Sequence, residues 1–119
     1  MKKLIYLPLA ALALYSCDSH TYDEIGEEII IEGPVTYNAN VKSIIDNNCV
    51  MCHSQQGSAS FRPLTTYSQV KAAVEEAGLL NRIQLQNGEP GVMPSTGRMP
   101  QSNIDVILEW NADGLLETE

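Results

Sequence analysis

The chain has 119 residues, a formal net charge of -8 and only 6% aromatic residues. That length holds one modest domain and is too short for a doubly wound dinucleotide fold or a β/α barrel. The acid excess argues against nucleic acid as a partner, since phosphates select clustered Lys and Arg.

The chain opens as an address. Lys2 and Lys3 precede a nearly unbroken apolar run, Leu4 to Tyr15. The run is shorter than the ~20 residues of a spanning helix and fits the apolar region of a secretion signal. It ends in Leu14-Tyr15-Ser16-Cys17, which resembles a bacterial lipobox except that Tyr15 is larger than usual. Residues 1–16 then read as a signal and Cys17 as the lipidated first residue of the mature chain. An ordinary signal peptide with a coincidental cysteine is the alternative. The lipid reading implies a protein outside the cytoplasm, anchored to a bacterial membrane by acyl chains rather than a helix.

Residues 17–33 read as an acidic tether. Asp18, Asp23, Glu24, Glu27, Glu28 and Glu32 occur with no Lys or Arg, and Gly33-Pro34 closes the segment. Like charges favour an extended spacer. Ile25 and Ile29-Ile30-Ile31 suggest a short strand or flap, and the isolated His20 reads as solvated.

Residues 34–119 form the domain, patterned for helices with no convincing alternation. Val41, Ile44 and Ile45 predict an amphipathic helix over 39–48. Thr66-Tyr67-Ser68-Gln69 is a capping-box pattern, continued by Val70, Ala73 and Val74, with Gly78 as the stop. Residues 79–83 predict a further turn or two, and 89–100, with three prolines, a loop. Ser102 and Asp105 suggest the cap of a last helix that carries Ile104, Ile107, Leu108 and Trp110 and ends at Asp113-Gly114. Such short helices bury little apolar area on their own.

Between the first two helices stands Cys49-Val50-Met51-Cys52-His53, the Cys-x-x-Cys-His signature of covalent c-type haem attachment. Two thiols at this spacing reach the two vinyl groups of one porphyrin edge, and the adjacent imidazole reaches the iron. Three other readings compete. A thioredoxin-like redox pair follows a strand, and here a helical pattern precedes the motif. A zinc site takes four ligands, and beyond the motif only His20 and Cys17 remain. A Cys49–Cys52 disulfide leaves His53 unexplained.

With this motif, a preceding helix, a Met-Pro loop and a closing helix, residues 34–119 resemble the cytochrome c family, in its small, monohaem, class I-like form. The resemblance implies an all-α fold of three to five short helices wrapped around one covalently attached haem c, with Cys49 and Cys52 as the thioether positions and His53 on the iron. Haem as part of the core would account for the shortage of aromatics. The family's sixth ligand is usually a methionine. Met93-Pro94-Ser95-Thr96-Gly97-Arg98-Met99-Pro100 is similar to a family loop whose first methionine binds iron, which implies Met93, with Met99 as the alternative. The resemblance also points to Pro63, whose carbonyl would orient His53, and to Leu64 packing on the ring. Arg82 and Arg98 are the implied propionate contacts, set against a simpler reading as surface residues.

These features set the functional expectations: a membrane-anchored one-electron carrier outside the cytoplasm, monomeric, without substrate chemistry of its own. Its partners would be periplasmic or membrane oxidases, reductases or dehydrogenases, and its net acidity favours a basic patch on them. A haem-based small-ligand sensor or peroxidase-like enzyme with a displaceable sixth ligand is the second reading, and a haem-free structural lipoprotein the third. Six of the acids belong to the tether, so the domain itself carries nine acids against five bases.

Overall fold

The computed structural model describes residues 31–119. The expectations for the signal, Cys17, His20, Ile25 and Ile29-Ile30 lie outside these residues. Among the described residues the protein is helical, with no strand and no helix long and apolar enough to cross a membrane.

The predicted first helix splits in two. A π-helical turn, Tyr37–Val41, runs directly into α1, Lys42–Asn48. Thr36 caps this unit, its hydroxyl accepting from the Ala39 amide. Its own amide donates to the Asn40 side chain at 2.9 Å. Val41, Ile44 and Ile45 are buried along one face, as the spacing requires.

Helix α2, Tyr67–Glu76, begins with the capping box the sequence predicts, Thr66 and Gln69 each satisfying the other's backbone amide. Gly78 adopts φ 67°, the left-handed conformation that stops α2 and starts α3, Leu79–Gln84. The last helix, α4, spans Gln101–Ala112. It differs from the expected Ser102 cap: Pro100 occupies the N-cap, with no capping side chain. Asp105 instead accepts from the Gln101 side chain at 2.7 Å. The helix thus starts two residues earlier than the Ser-x-x-Asp pattern implies, proline's fixed φ suiting the chain's entry into it.

The chain end closes the body. Past α4, the Leu115 amide returns to the Trp110 carbonyl at 2.9 Å, satisfying an orphan carbonyl of the helix end. The Leu116 carbonyl then accepts from the Trp110 indole and the Tyr37 amide, both at 2.8 Å. The Asp113 carboxylate accepts from the Val35 amide at 2.7 Å. The π turn therefore packs on α4, and first and last helical segments meet.

One apolar core results, centred on the fully buried Trp110, Ile45, Ile104 and Ile107. Tyr37 and Tyr67 pack edge-on at 5.6 Å between ring centres, and both lie within about 6 Å of the Trp110 ring. Such pairs add ~0.5–1.5 kcal/mol beyond area burial. Ile31 also packs against the core, so the body's apolar contacts begin ahead of Pro34.

Candidate functional site

Helix α1 does not end cleanly; it winds on into the cysteine motif. The Cys49 amide donates to the Ile45 carbonyl at 2.8 Å, and the His53 amide to the Cys49 carbonyl at 2.9 Å. Both are helical spacings. The Cys52 and His53 amides both donate to the Cys49 carbonyl, so the motif is one closed turn, with Met51 87% exposed on it. Both thiols are free.

Cys49 packs against the edge of the core. Burial, and to a lesser degree the neighbouring Cys52, push its thiol up to about 11, so it is protonated at neutral pH. Redox Cys-x-x-Cys pairs and zinc sites use thiolates in settings that lower the pKa. The Cys49 surroundings work in the opposite direction. Among the described residues, no three His, Cys, Asp or Glu side chains gather as a metal-holding group.

After His53 the chain loops out and returns. The Ala59 amide donates to the Cys52 carbonyl at 2.9 Å, and the Leu64 amide to the His53 carbonyl at 2.8 Å. His53 Nδ1 lies 2.7 Å from the Arg62 carbonyl. A carbonyl only accepts, so Nδ1 donates, and in the neutral ring Nε2 is then the nitrogen with the lone pair. This is the state of an imidazole ready to bind a metal, its orientation set by a backbone acceptor.

The acceptor is Arg62, not the expected Pro63, and the reason is geometric. In an extended segment the carbonyl of one residue and the amide two residues on point the same way. The Arg62 carbonyl and the Leu64 amide both bond to His53, the pattern expected where the residue before a proline is extended. Leu64 is buried beside the motif turn.

Gly57 makes this return possible. A Cβ on it would lie 2.1 Å from the Cys52 carbonyl oxygen and 2.5 Å from its carbon. No other residue fits without moving backbone.

The second group of expected site residues sits on the 85–100 segment. Met93 and Met99 are held differently. Met99 is 3% exposed, inside the core, whereas Met93 is half-buried on the loop. Arg82 clasps the start of that loop: its carbonyl accepts from the Met93 amide at 3.1 Å, and its guanidinium donates to the Gly91 carbonyl at 3.3 Å. Arg98 is pinned by its amide to the Asn87 side chain at 2.8 Å and by Nη2 to Gln101 at 2.6 Å. Its Nε is buried and has no hydrogen-bond partner among the described residues. An unpaired buried donor is costly, and here it belongs to a cation suited to carboxylates.

The structure thus joins Cys49, Cys52, His53 and Leu64 through backbone hydrogen bonds, and separately Arg82 with Met93. The two groups share the core through Met99, Leu64 and Ile45. Sequence reasoning missed Arg62, Gly57 and Asn87. A glycine five residues past the second cysteine, in a loop that must return to orient the histidine, was the one available signal. Compared with protein-family models, with curated proteins and with solved structures, the chain finds no match.

Proposed function

We propose that residues 34–119 hold one haem c and act as a one-electron carrier, a small cytochrome c-like domain anchored outside the cytoplasm through Cys17. One observation carries this reading. Cys49 to His53 form one hydrogen-bonded turn, and the His53 ring is committed through Nδ1 to the Arg62 carbonyl, which would leave Nε2 as the ligating atom.

The residue types present are those such a group takes. Cys49 and Cys52 would hold it through two thioether links, and His53 and Met93 would ligate its iron. Met99, which the core encloses, serves as packing and remains the alternative ligand. Arg98 would meet a propionate with the guanidinium nitrogen that has no partner among the described residues, while Arg82 is engaged in clasping the ligand loop. Bound there, haem would supply a reversible ferric–ferrous couple, its potential raised by a thioether ligand. The chain's own part is to orient the imidazole, enclose one edge with Leu64 and neighbouring core residues, and exclude water. An electron carrier needs no catalytic base, and none is assigned. The acidic tether gives the domain reach from the membrane to redox partner proteins. The test is a haem stain and intact mass of the matured protein after denaturation: covalent haem supports the reading, and its absence from correctly matured protein ends it.

A further inference from the structure

The segment that carries Met93 is irregular, and its two limbs are held unequally. Ahead of the methionine, Arg82 grips the chain twice: its guanidinium donates to the Gly91 carbonyl at 3.3 Å, and its carbonyl accepts from the Met93 amide at 3.1 Å. Past it, the limb Pro94 to Arg98 runs to the buried Met99. Ser95, Thr96 and Gly97 are exposed, and the Gly97 amide bonds only locally, to the Pro94 carbonyl at 3.2 Å. Among the described residues, one hydrogen bond ties this limb back across the loop: the Arg98 amide donates to Asn87 Oδ1 at 2.8 Å. The Arg98 guanidinium bonds to Gln101, which follows it in the chain, so that contact does not cross the loop.

The Asn87 bond closes the segment 87–98 into a ring, with Met93 near its middle. Without it the limb after Met93 is fixed only at its ends, and removing a cross-link returns conformational freedom to the loop it closed. Exposed loops open locally at free energies far below that of global unfolding. Asparagine has no other duty at this position. Asn87 is not among the residues of positive φ, so the turn into Gly88 does not call for it. Among the described residues its side chain bonds to the Arg98 amide alone.

We infer that Asn87 is a positioning residue for the sixth ligand: its side-chain carbonyl latches the limb after Met93 and so decides whether that ligand is fixed or displaceable. This rests on the haem-carrier reading and adds a control on the same site. With the latch made, Met93 is held and the domain only carries electrons. With the latch broken, a small neutral molecule such as carbon monoxide competes with Met93 for its position.

The test uses the matured full-length protein in its reduced form, with two substitutions at this exposed position. Asn87→Ala removes the acceptor; Asn87→Asp keeps a side-chain oxygen. The rate of carbon monoxide binding reads the ligand, and exchange of the Arg98 amide, followed by NMR, reads the latch. Asn87→Ala should raise both roughly five- to tenfold, the upper figure matching about 1.4 kcal/mol, the scale of one hydrogen bond. Asn87→Asp should return both to near the parent values. A merely structural asparagine would lower the unfolding midpoint and speed amide exchange while carbon monoxide binding stayed at the parent rate. An Asn87→Ala protein that keeps that parent rate, or an Asn87→Asp protein that behaves like Asn87→Ala, would overturn the latch alone. Protein that matures without covalent haem, or unaltered protein that binds carbon monoxide rapidly, would overturn the carrier reading and the latch with it.

Discussion

Replacing Gly57 by alanine tests whether the return loop is built to hold His53. The new Cβ would sit 2.1 Å from the Cys52 carbonyl oxygen and 3.0 Å from its Cα. These are backbone atoms, so no rotamer relieves the clash. Gly57 is not among the glycines with positive φ, so the penalty is one of space rather than backbone strain. Overpacking of this kind costs ~1–3 kcal/mol. Relief requires the loop to lift, weakening the Ala59-to-Cys52 bond at 2.9 Å and, beyond it, the His53-to-Arg62 bond at 2.7 Å. Each is worth ~0.5–1.5 kcal/mol. The expected loss is therefore about 2–6 kcal/mol, a fall in Tm of at least roughly 8 °C for a domain this size. Urea and thermal unfolding followed by circular dichroism measure it, with Ser58→Ala, at an exposed neighbour, as the control near zero. The His53 Nδ1 proton, followed by NMR, reports the bond to Arg62. A Gly57→Ala protein within about 0.5 kcal/mol of the parent and with that proton unchanged would refute the reasoning, because surface substitutions alone fall in that range.

Three further predictions follow from the same geometry. Met93→Ala should abolish the long-wavelength thioether-to-iron band of the oxidised protein and let the reduced protein bind carbon monoxide; Met99→Ala should keep the band and instead cost about 2–5 kcal/mol of stability as a core truncation. Rapid carbon monoxide binding by the unaltered protein would favour a ligand-binding haem domain instead. Arg98→Gln should alter the pH dependence of the redox potential, while Arg82→Gln should loosen the 82–91 clasp and leave that dependence in place; equal behaviour of the two would contradict the assignment. In protein with free thiols, the Cys49 thiol is raised from 9.0 to about 11 by burial. The stability this contributes is fully present below pH 9 and is lost as pH rises through 11, because the unfolded chain gives up that proton first. A chain whose Cys49 is tied up as a thioether has nothing to titrate and should show no such loss in that window.

The local features were legible because they are encoded by neighbours in sequence. Thr66 and Gln69 lie three apart and satisfy each other's amides, so the start of α2 could be read directly. Gly78 ends that helix with the conformation its lack of a side chain permits. The cysteine motif is equally local, since its chemistry depends on spacing along one turn. What escaped depends on chain segments meeting at a distance. Gly57 looks like any loop glycine until the loop folds back on the Cys52 carbonyl. Pro63 drew attention by residue type, but the acceptor is a main-chain oxygen, set by the direction in which an extended segment faces. Asp113 binding the Val35 amide across the domain left no trace in composition. The opening shortage of aromatics has a partial structural answer: Tyr37, Tyr67 and Trp110 are concentrated in one cluster rather than spread thinly.

The central claim is that Cys49 and Cys52 hold haem covalently with His53 on the iron. Intact-mass measurement of the matured protein after full denaturation, paired with a haem stain of the same sample, tests this most directly. The predicted result is a polypeptide heavier than the matured chain by one haem, staining positive and losing that mass in a Cys49→Ala, Cys52→Ala double variant. A correctly matured polypeptide at its bare mass, with both thiols free to alkylate and no stain, would contradict it.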